Sequence, residues 1–116
     1  MTERTLQEPT LLLLTALADA PRHGYALIQE VAAISDGRVK LRTGTLYGAL
    51  DRLLGQGLIE VVGEQVVDGR ARRTYALTGA GRDLLATEAA RLRRIAAQAE
   101  QRLAGGSAAL RPGFAS

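Results

Sequence analysis

The sequence contains no cysteine and no tryptophan, and aromatic residues make up only 3% of it. Without cysteine, the chain has no disulfide, no thiolate metal site and no cysteine nucleophile. With so few aromatic side chains, it offers neither an aromatic cage nor a surface on which unpaired bases stack. One histidine, His23, and scattered acids assemble no nucleophile–base pair and no metal cluster. We therefore expect no catalytic residue, no metal, no cofactor and no enzymatic activity.

Long hydrophobic runs are also missing. The longest strongly apolar run, Leu11 to Leu14, is far shorter than the roughly 20 residues that a membrane-spanning helix needs. The N-terminus has no basic start followed by an apolar core and a cleavage site. These absences predict a cytoplasmic protein without a membrane partner. The 116 residues, of which 47% are hydrophobic, are enough for one compact domain with a buried core.

Lysine is nearly absent, because Lys40 is the one lysine among 15 basic residues and all the others are arginine. The formal charge is +3 and the sequence pI is about 9.9, so the surface attracts polyanions mildly. Arginine can hold a phosphate group or a guanine edge through two donors at once. The composition supports an anionic partner without identifying it.

The stretch from Leu41 to Leu58 predicts a helix with one buried side. Leu46, Leu50, Leu53 and Leu54 follow the i, i+4, i+7, i+8 spacing of an apolar helical face. Thr43 is placed for an N-cap and Gly57 for a left-handed exit from the helix. At about 100° per residue, the opposite face carries small and polar residues, which are Gly44, Thr45, Gly48, Asp51, Arg52 and Gly55, with Tyr47 and Gln56 near its borders.

That outer face is unusual for a helix that only meets solvent. Each glycine in a helix costs about 1 kcal/mol relative to alanine, so the glycines indicate that another surface approaches closely. Small residues beside threonine, tyrosine and arginine suit a DNA groove, where hydroxyl groups and guanidinium groups reach phosphates and base edges. The alternative is a core-packed helix with a poor outer face.

Two helices are expected before this stretch. Residues 1–8 form an arm, and Pro9 lies in the first turn of a helix that continues to about Ala20 and is stopped by Pro21. A second helix begins within residues 22–25 and ends near residues 35–37. Residues 38–42 alternate basic and apolar side chains, which predicts a short strand or an extended connector.

After the glycine-rich stretch, two β-prone segments flank Asp68-Gly69, which is a strong signal for a two-residue hairpin turn. The segments are residues 58–62 and 72–77, and they predict a two-stranded ribbon. The tip carries Arg70, Arg72 and Arg73. A solvated hairpin would explain the charge, but its position directly after a presented helix favours a wing that contacts DNA phosphates or a minor groove.

The last helix is predicted from Thr78, a plausible N-cap, over about 25 residues. The mean helix length is about 11 to 12 residues, so half of this helix would overhang the domain and needs a partner. The simplest partner is the same helix of a second copy, in a two-fold homodimer. Residues 105–116 are rich in glycine and predict a disordered tail. The expected dimerisation residues are Leu13, Leu85, Leu92, Ile95, Ala99 and Leu103.

Several spaced motifs occur in a fixed order along the chain. They are residues 21–25, residues 44–47 continuing to Leu50 and residues 52–53, residues 57–60, and residues 72–75 leading to residues 77–78 and 81–82. Between about Leu11 and Leu103, these motifs make the chain resemble the PadR family of bacterial transcriptional regulators. The resemblance implies a winged helix-turn-helix fold, a dimer built largely by the C-terminal helix, and repression of a neighbouring gene that a small-molecule effector relieves. The single C-terminal helix is similar to that of the short PadR subgroup.

These patterns together predict a mainly α protein with a small β-hairpin: a winged helix-turn-helix over residues 1–77, a dimerisation helix over residues 78–104, and a tail over residues 105–116. The expected partners are double-stranded DNA at a pseudo-palindromic operator, a second copy of the chain, and an effector at the dimer interface. The alternative is a winged-helix interaction module that binds an acidic protein. The expected DNA-binding residues are Arg42, Thr43, Thr45, Tyr47, Gly48, Arg52, Arg70, Arg72 and Arg73.

Overall fold

A computed structural model describes residues 6–109 of the chain. Within that range, four helices and three short strands follow one another, and the predicted mainly α architecture with a β-hairpin is confirmed. The elements in chain order are α1 (Glu8–Ala16), β1 (Arg22–His23), α2 (Gly24–Ile34), α3 (Thr43–Gly55), β2 (Ile59–Val67), β3 (Arg70–Leu77) and α4 (Gly79–Ala109).

The three strands form one antiparallel sheet in the order β1-β3-β2. The turn between β2 and β3 lies at Asp68 and Gly69, whose φ angles of 53° and 75° are those of a type I′ hairpin turn. The predicted ribbon is therefore confirmed, although β2 begins at Ile59 and β3 at Arg70. Strand β1 was not predicted; it forms because Arg22 and His23 pair with Tyr75 and Thr74 of β3.

The chain divides into two compact units, one through Leu85 and one from Ala86 onward. The core of the first unit contains leucines from every helix it includes in full, and its least exposed members come from α1, α2 and α3. Fully burying a leucine side chain stabilises a fold by about 1.5–3 kcal/mol, so these leucines dominate the stability of the unit. The leucines with no exposed side-chain surface are Leu13, Leu14, Leu27, Leu46, Leu50 and Leu53.

Helix α1 is shorter than predicted. It begins at Glu8, with Pro9 in its first turn as expected, but it ends at Ala16 and not near Ala20. The guanidinium of Arg22 explains the early end, because its Nε donates a hydrogen bond of 2.8 Å to the carbonyl of Ala16. Helix termini leave such carbonyls without a partner inside the helix. The stop signal is thus a side chain from β1 and not Pro21.

Side chains mark both ends of α2, close to the predicted limits. At the start, the backbone N–H of Ala26 donates to Nδ1 of His23 over 3.3 Å, which makes His23 the N-cap. At the end, the buried hydroxyl of Ser35 donates to the carbonyl of Val31 and accepts from the N–H of Val39 over 2.9 Å. That second bond holds the start of residues 38–42, which form the predicted connector without strand pairing.

Helix α4 is joined to the end of α3 at its first turn. The hydroxyl of Thr78 donates to the carbonyl of Gly57 over 2.6 Å and accepts from the N–H of Gly81 over 3.1 Å, so Thr78 caps α4 as predicted. The helix continues through Ala109, which makes the predicted tail wrong over residues 105–109; residues 110–116 lie outside the described residues. No helix within residues 6–109 is long and apolar enough to cross a membrane.

Substitution of Gly81 tests this junction. A Cβ at Gly81 would collide with the carbonyl oxygen of Leu58, a backbone atom that cannot move without disturbing α3 and β2. We expect Gly81→Ala to lower the free energy of unfolding by about 1–3 kcal/mol, the usual cost of overpacking, as measured by urea denaturation.

Gly79→Ala is the matched control, because a Cβ at Gly79 in the same helical turn meets no atom within 4 Å. We expect it to be neutral or to stabilise the protein by up to ~1 kcal/mol, since alanine restricts the unfolded chain. Equal unfolding midpoints for the two variants would contradict the assignment of close packing at Gly81.

Candidate nucleic-acid interface

Helix α3 has one buried face and one open face. Leu46, Leu50 and Leu53 have no exposed side-chain surface, and their burial sets the rotation of the helix. Thr45, Gly48 and Arg52 are exposed on the other side. All nine residues that the sequence predicted for DNA binding lie at the surface, and six of them belong to α3 and its N-cap: Arg42, Thr43, Thr45, Tyr47, Gly48 and Arg52.

The start of α3 differs by one residue from the prediction. The N-cap is Arg42, with extended backbone angles of −84° and 155°, and no side chain caps the helix. Thr43 is instead the first helical residue, because the first intrahelical bond runs from the N–H of Leu46 to the carbonyl of Arg42 over 2.8 Å. The prediction that Thr43 is the cap was therefore wrong. The predicted exit at Gly57 is confirmed by its φ angle of 73°.

The wing consists of β2, β3 and their turn, and its arginines lie on both faces of β3. In the β3 register, Arg70 pairs with Val67, Arg72 with Gln65 and Arg73 with Glu64. Neighbouring residues of a strand point to opposite faces, so Arg70 and Arg72 share a face and Arg73 lies on the other. Nε of Arg73 is 3.4 Å from the carboxylate of Glu64. Within residues 6–109, Arg70 and Arg72 form no ion pair.

The side chain of Tyr47 extends from α3 toward the start of α2 and the wing. Its ring lies over Gly24, where a Cβ would collide with the tyrosine hydroxyl. It borders a cleft of about 490 Å³ toward Arg70 and Arg72, and a second cleft of about 300 Å³ toward Asp51, Arg73 and Tyr75. Tyr47 is therefore a wall between two polar clefts as well as a surface residue.

A third cleft flanks the other border of α3. It has a volume of about 350 Å³, and Thr45, Gly48 and Arg52 line it together with Gln7 and Thr10 from the start of α1. The start of α1 thus lies beside one border of the open face of α3, and the wing lies beside the other. From the sequence, α1 was expected only in the core and at a dimer interface, and Gln7 and Thr10 were not predicted at this surface.

Two residues beside the wing were missing from the predicted set. His23 and Tyr25 line the same cleft as Arg70 and Arg72, and Tyr25 is 64% exposed. Both belong to the motif at residues 21–25, which was interpreted from the sequence only as the start of a helix and as part of the family resemblance. The available signal in the sequence was a tyrosine two residues after the histidine at the start of a predicted helix. Within residues 6–109, no three histidines, cysteines or acids come together as a metal site.

Burial changes the chemistry of the third tyrosine, Tyr75. Loss of solvent around its side chain raises the pKa of the Tyr75 hydroxyl above its ordinary value, and nearby Tyr47 adds to this effect, while Arg73 opposes it. The proton is therefore bound more tightly in the folded state than in the unfolded chain. The hydroxyl remains neutral beside the open clefts, where it adds no negative charge.

The residues expected at a dimer interface occupy different environments. Leu92, Ile95 and Leu103 of α4 are 38%, 52% and 73% exposed, and Ala99 is also exposed. Leu85 is half-buried against the core of the first unit. Leu13 has no exposed side-chain surface, so it packs in that core and offers nothing to a second copy.

The helices α2 and α3, followed by the β2–β3 hairpin, define a winged helix-turn-helix protein. Residues 13–87 match the Transcriptional regulator PadR-like family, so the chain belongs to the PadR-like family of transcriptional regulators.

Relatives and solved structures agree with this assignment. The chain is 42% identical over 86 residues to Transcriptional regulator Rv3488 of Mycobacterium tuberculosis, covering 74% of this chain and 77% of that protein. It is 44% identical over 85 residues to a 37.1 kDa protein in a transposon of Streptomyces fradiae, covering 73% of this chain but only 23% of that protein. A PadR family transcription regulator from Clostridium difficile shares the fold with a TM-score of 0.69 and 25% identity, over 84% of this chain and 99% of that one.

The raised pKa of Tyr75 predicts a loss of stability at alkaline pH. Stability from the neutral hydroxyl is fully present below the unfolded pKa of about 10 and is lost as the pH rises through the folded pKa. We expect Tyr75→Phe to lose less stability than the wild type as the pH rises above about 10, measured by urea denaturation at each pH. Tyr25→Phe, which removes an exposed hydroxyl, is the matched control. Identical pH slopes for the two variants would contradict the effect of burial on Tyr75.

Proposed function

We propose that this protein is a homodimeric DNA-binding repressor whose α3 helices enter successive major grooves of a pseudo-palindromic operator. The observation that carries the proposal is the open face of α3 beside Arg70 and Arg72 of the wing, which form no ion pair within the described residues. Thr45, Gly48 and Arg52 are exposed there, opposite leucines with no exposed surface. A helix that enters a major groove must have a free face from which side chains can reach base edges.

Each residue of the interface has a proposed role. Thr45 and Gly48 lie closest to the bases, Tyr47 and Arg52 contact phosphates or an adjacent base, and Arg42 and Thr43 anchor the start of the helix. The wing residues Arg70, Arg72 and Arg73 hold the flanking backbone. Phosphate contacts set the register of the protein on the duplex, whereas base contacts carry sequence preference. Most of the proposed contacts therefore position the protein, and few of them read sequence.

Dimerisation through α4 is the second part of the proposal. Leu92, Ile95, Ala99 and Leu103 recur at spacings of three and four residues, so they lie along one side of the helix. All four are exposed in the single chain, and full burial of a leucine or isoleucine side chain is worth up to about 1.5–3 kcal/mol. Leu85 extends the same spacing toward the start of α4. Two copies related by a two-fold axis would present two α3 helices to one operator.

Relief of repression by a small-molecule effector completes the proposal. The support in this chain is a groove of about 640 Å³ along α4, where Ile95 and Ala99 lie between Arg94 and Arg102. A second copy packed on this side would close the groove into a pocket with apolar walls and cationic ends. An apolar molecule with an acidic group would suit such a pocket.

Binding to operator DNA tests the proposed function. The purified protein should shift a fragment taken from directly upstream of its own gene in a gel assay, and random DNA in excess should compete poorly. Footprinting should then reveal two half-sites about one helical turn apart. Equal competition by random DNA would reject a specific repressor, and capture of an acidic protein by the same surface would favour an interaction module instead.

The wing gives a quantitative prediction. Arg70→Ala with Arg72→Ala removes two guanidinium groups that have no ion pair within residues 6–109. We expect affinity to fall on operator and random DNA alike, because phosphate contacts carry no sequence information. The slope of log affinity against log salt should fall by about 0.9 for each lost phosphate contact, and thus by up to about 1.8. Fluorescence anisotropy over a salt series measures both quantities.

Arg93→Ala with Ala104→Glu is the charge-matched control, since both residues are exposed on α4 and line neither the wing clefts nor the proposed effector groove. This variant carries the same net charge as the wing variant, and we expect it to retain the wild-type salt slope. Equal slopes for the two double variants would show that net charge, and not the wing, governs the affinity.

The dimer predicts a mass change on substitution of Ile95. Ile95 is 52% exposed in the single chain, so Ile95→Glu should fold normally but place a charge in the proposed interface. Removing a buried isoleucine costs about 1.5–3 kcal/mol, so we expect dimer affinity to fall at least tenfold by analytical ultracentrifugation. Ala104→Glu is the matched control, because residue 104 is exposed and lies on the opposite side of the helix from residue 95, about 180° away. Identical dissociation constants for both variants would exclude this face as the interface.

A further inference from the structure

The cleft between the start of α2 and the wing has a lining of hydrogen-bond donors. Its volume is about 490 Å³, and its polar walls are His23, Tyr25, Tyr47, Arg70 and Arg72, with Asp68 of the turn as the one acid. Small-molecule pockets of comparable volume are mostly apolar. Two guanidinium groups against one carboxylate leave this cleft positively charged, so its chemistry suits an oxyanion better than an apolar effector.

The capping bond of α2 fixes how His23 contributes. Nδ1 accepts the N–H of Ala26 over 3.3 Å, so Nδ1 carries no hydrogen in this arrangement. In a neutral imidazole, the other nitrogen, Nε2, then bears the hydrogen and can only donate. The side chain of His23 forms no second hydrogen bond within residues 6–109, and the hydroxyl of Tyr25 forms none there. The helix cap thus orients a free donor at the cleft.

The position of the cleft identifies the source of the oxyanion. Tyr47 comes from α3 and the arginines come from the wing, and both elements contact DNA in the proposed function. A DNA strand that leaves the groove occupied by α3 and continues to the wing passes this cleft. The cleft volume of about 490 Å³ is many times the roughly 30 Å³ that one water molecule occupies in the liquid. The cleft therefore has room for a phosphate group with its sugar.

We infer that this cleft binds one backbone phosphate of the operator in each half-site, and that His23 and Tyr25 are phosphate-binding residues. The inference rests on the proposed function and adds two neutral donors to the arginines of the wing. Hydrogen bonds from neutral donors displace no counterions. Loss of His23 or Tyr25 should therefore weaken binding without changing its salt slope, in contrast to loss of Arg70 and Arg72.

Three variants separate this role from helix capping. His23→Asn removes the Nε2 donor but retains an oxygen that can cap α2, since asparagine is among the best N-caps. His23→Ala removes both functions, and Tyr25→Phe removes only a hydroxyl. We expect each variant to bind all DNA sequences about tenfold more weakly, the factor that a net hydrogen bond of about 1.4 kcal/mol represents. Thermal melting should show a loss of stability for His23→Ala alone. Wild-type affinity for His23→Asn would overturn the inference, because capping alone would then explain His23.

Chemically modified DNA locates the phosphate. A methylphosphonate linkage replaces one charged oxygen with a methyl group, and it can be placed at each backbone position of the footprinted operator in turn. We expect one position per half-site where modification weakens the wild type, but weakens His23→Asn and Tyr25→Phe much less. Such non-additivity is the sign of a direct contact. Additive losses at every position, with specific binding by the wild type intact, would overturn this inference and leave the proposed function standing. Absence of specific binding by the wild type would reject both.

The last experiment tests whether the cleft binds a phosphate compound that is free in solution. Pyrophosphate is titrated into the protein without DNA, and tyrosine fluorescence reports on Tyr25 and Tyr47. We expect no saturable change below millimolar concentrations, because a phosphate in the DNA backbone is held in place by the other contacts. Micromolar binding that releases the operator would overturn the inference and make the cleft a site for a free phosphorylated effector.

Discussion

The burial of three leucines on α3 is the constraint on which the rest of the surface depends. Leu46, Leu50 and Leu53 have no exposed side-chain surface, and removal of one such side chain typically costs about 2–5 kcal/mol. Whole domains are stable by only about 5–15 kcal/mol. Rotation of α3 about its axis would forfeit much of that margin. The open face can therefore be held in one orientation without any contact from its own residues, which leaves Thr45, Gly48 and Arg52 available to a partner.

The end of α3 is fixed as firmly as its rotation. Gly57 takes the left-handed conformation that ends the helix, and its carbonyl accepts the hydroxyl of Thr78 over 2.6 Å. The N–H of Thr78 in turn donates to the carbonyl of Leu58 over 3.1 Å, against which Gly81 is closely packed. The wing lies between these two points in the chain. One threonine thus joins the exit of the open helix, the return of the hairpin and the first turn of α4.

Features with local causes could be predicted from the sequence, whereas features with distant causes could not. The turn at Asp68-Gly69 and the exit at Gly57 follow from backbone preferences of the residues themselves, as does capping of α4 by Thr78. The end of α1 depends on Arg22, six residues later, and strand β1 exists only because β3 offers it an edge. Leu13 has the same pattern as an interface leucine, and only the packed fold distinguishes it from one. The cleft beside His23 was likewise hidden, because residues of α3 and the wing form it together with the start of α2.

The glycines differ in whether the fold leaves room for a Cβ atom at their positions. A Cβ at Gly81 would collide with the backbone of Leu58, so the fold itself explains this glycine, whereas a Cβ at Gly24 would meet mainly the hydroxyl end of the Tyr47 side chain. A Cβ at Gly44, Gly48 or Gly55 would meet no atom within 4 Å. In the interior of α3, such a glycine costs about 1 kcal/mol relative to alanine, and no internal contact offsets that cost. The open face is therefore less stable than the fold alone would allow, which is expected of a surface whose side chains are limited by the close approach of another molecule.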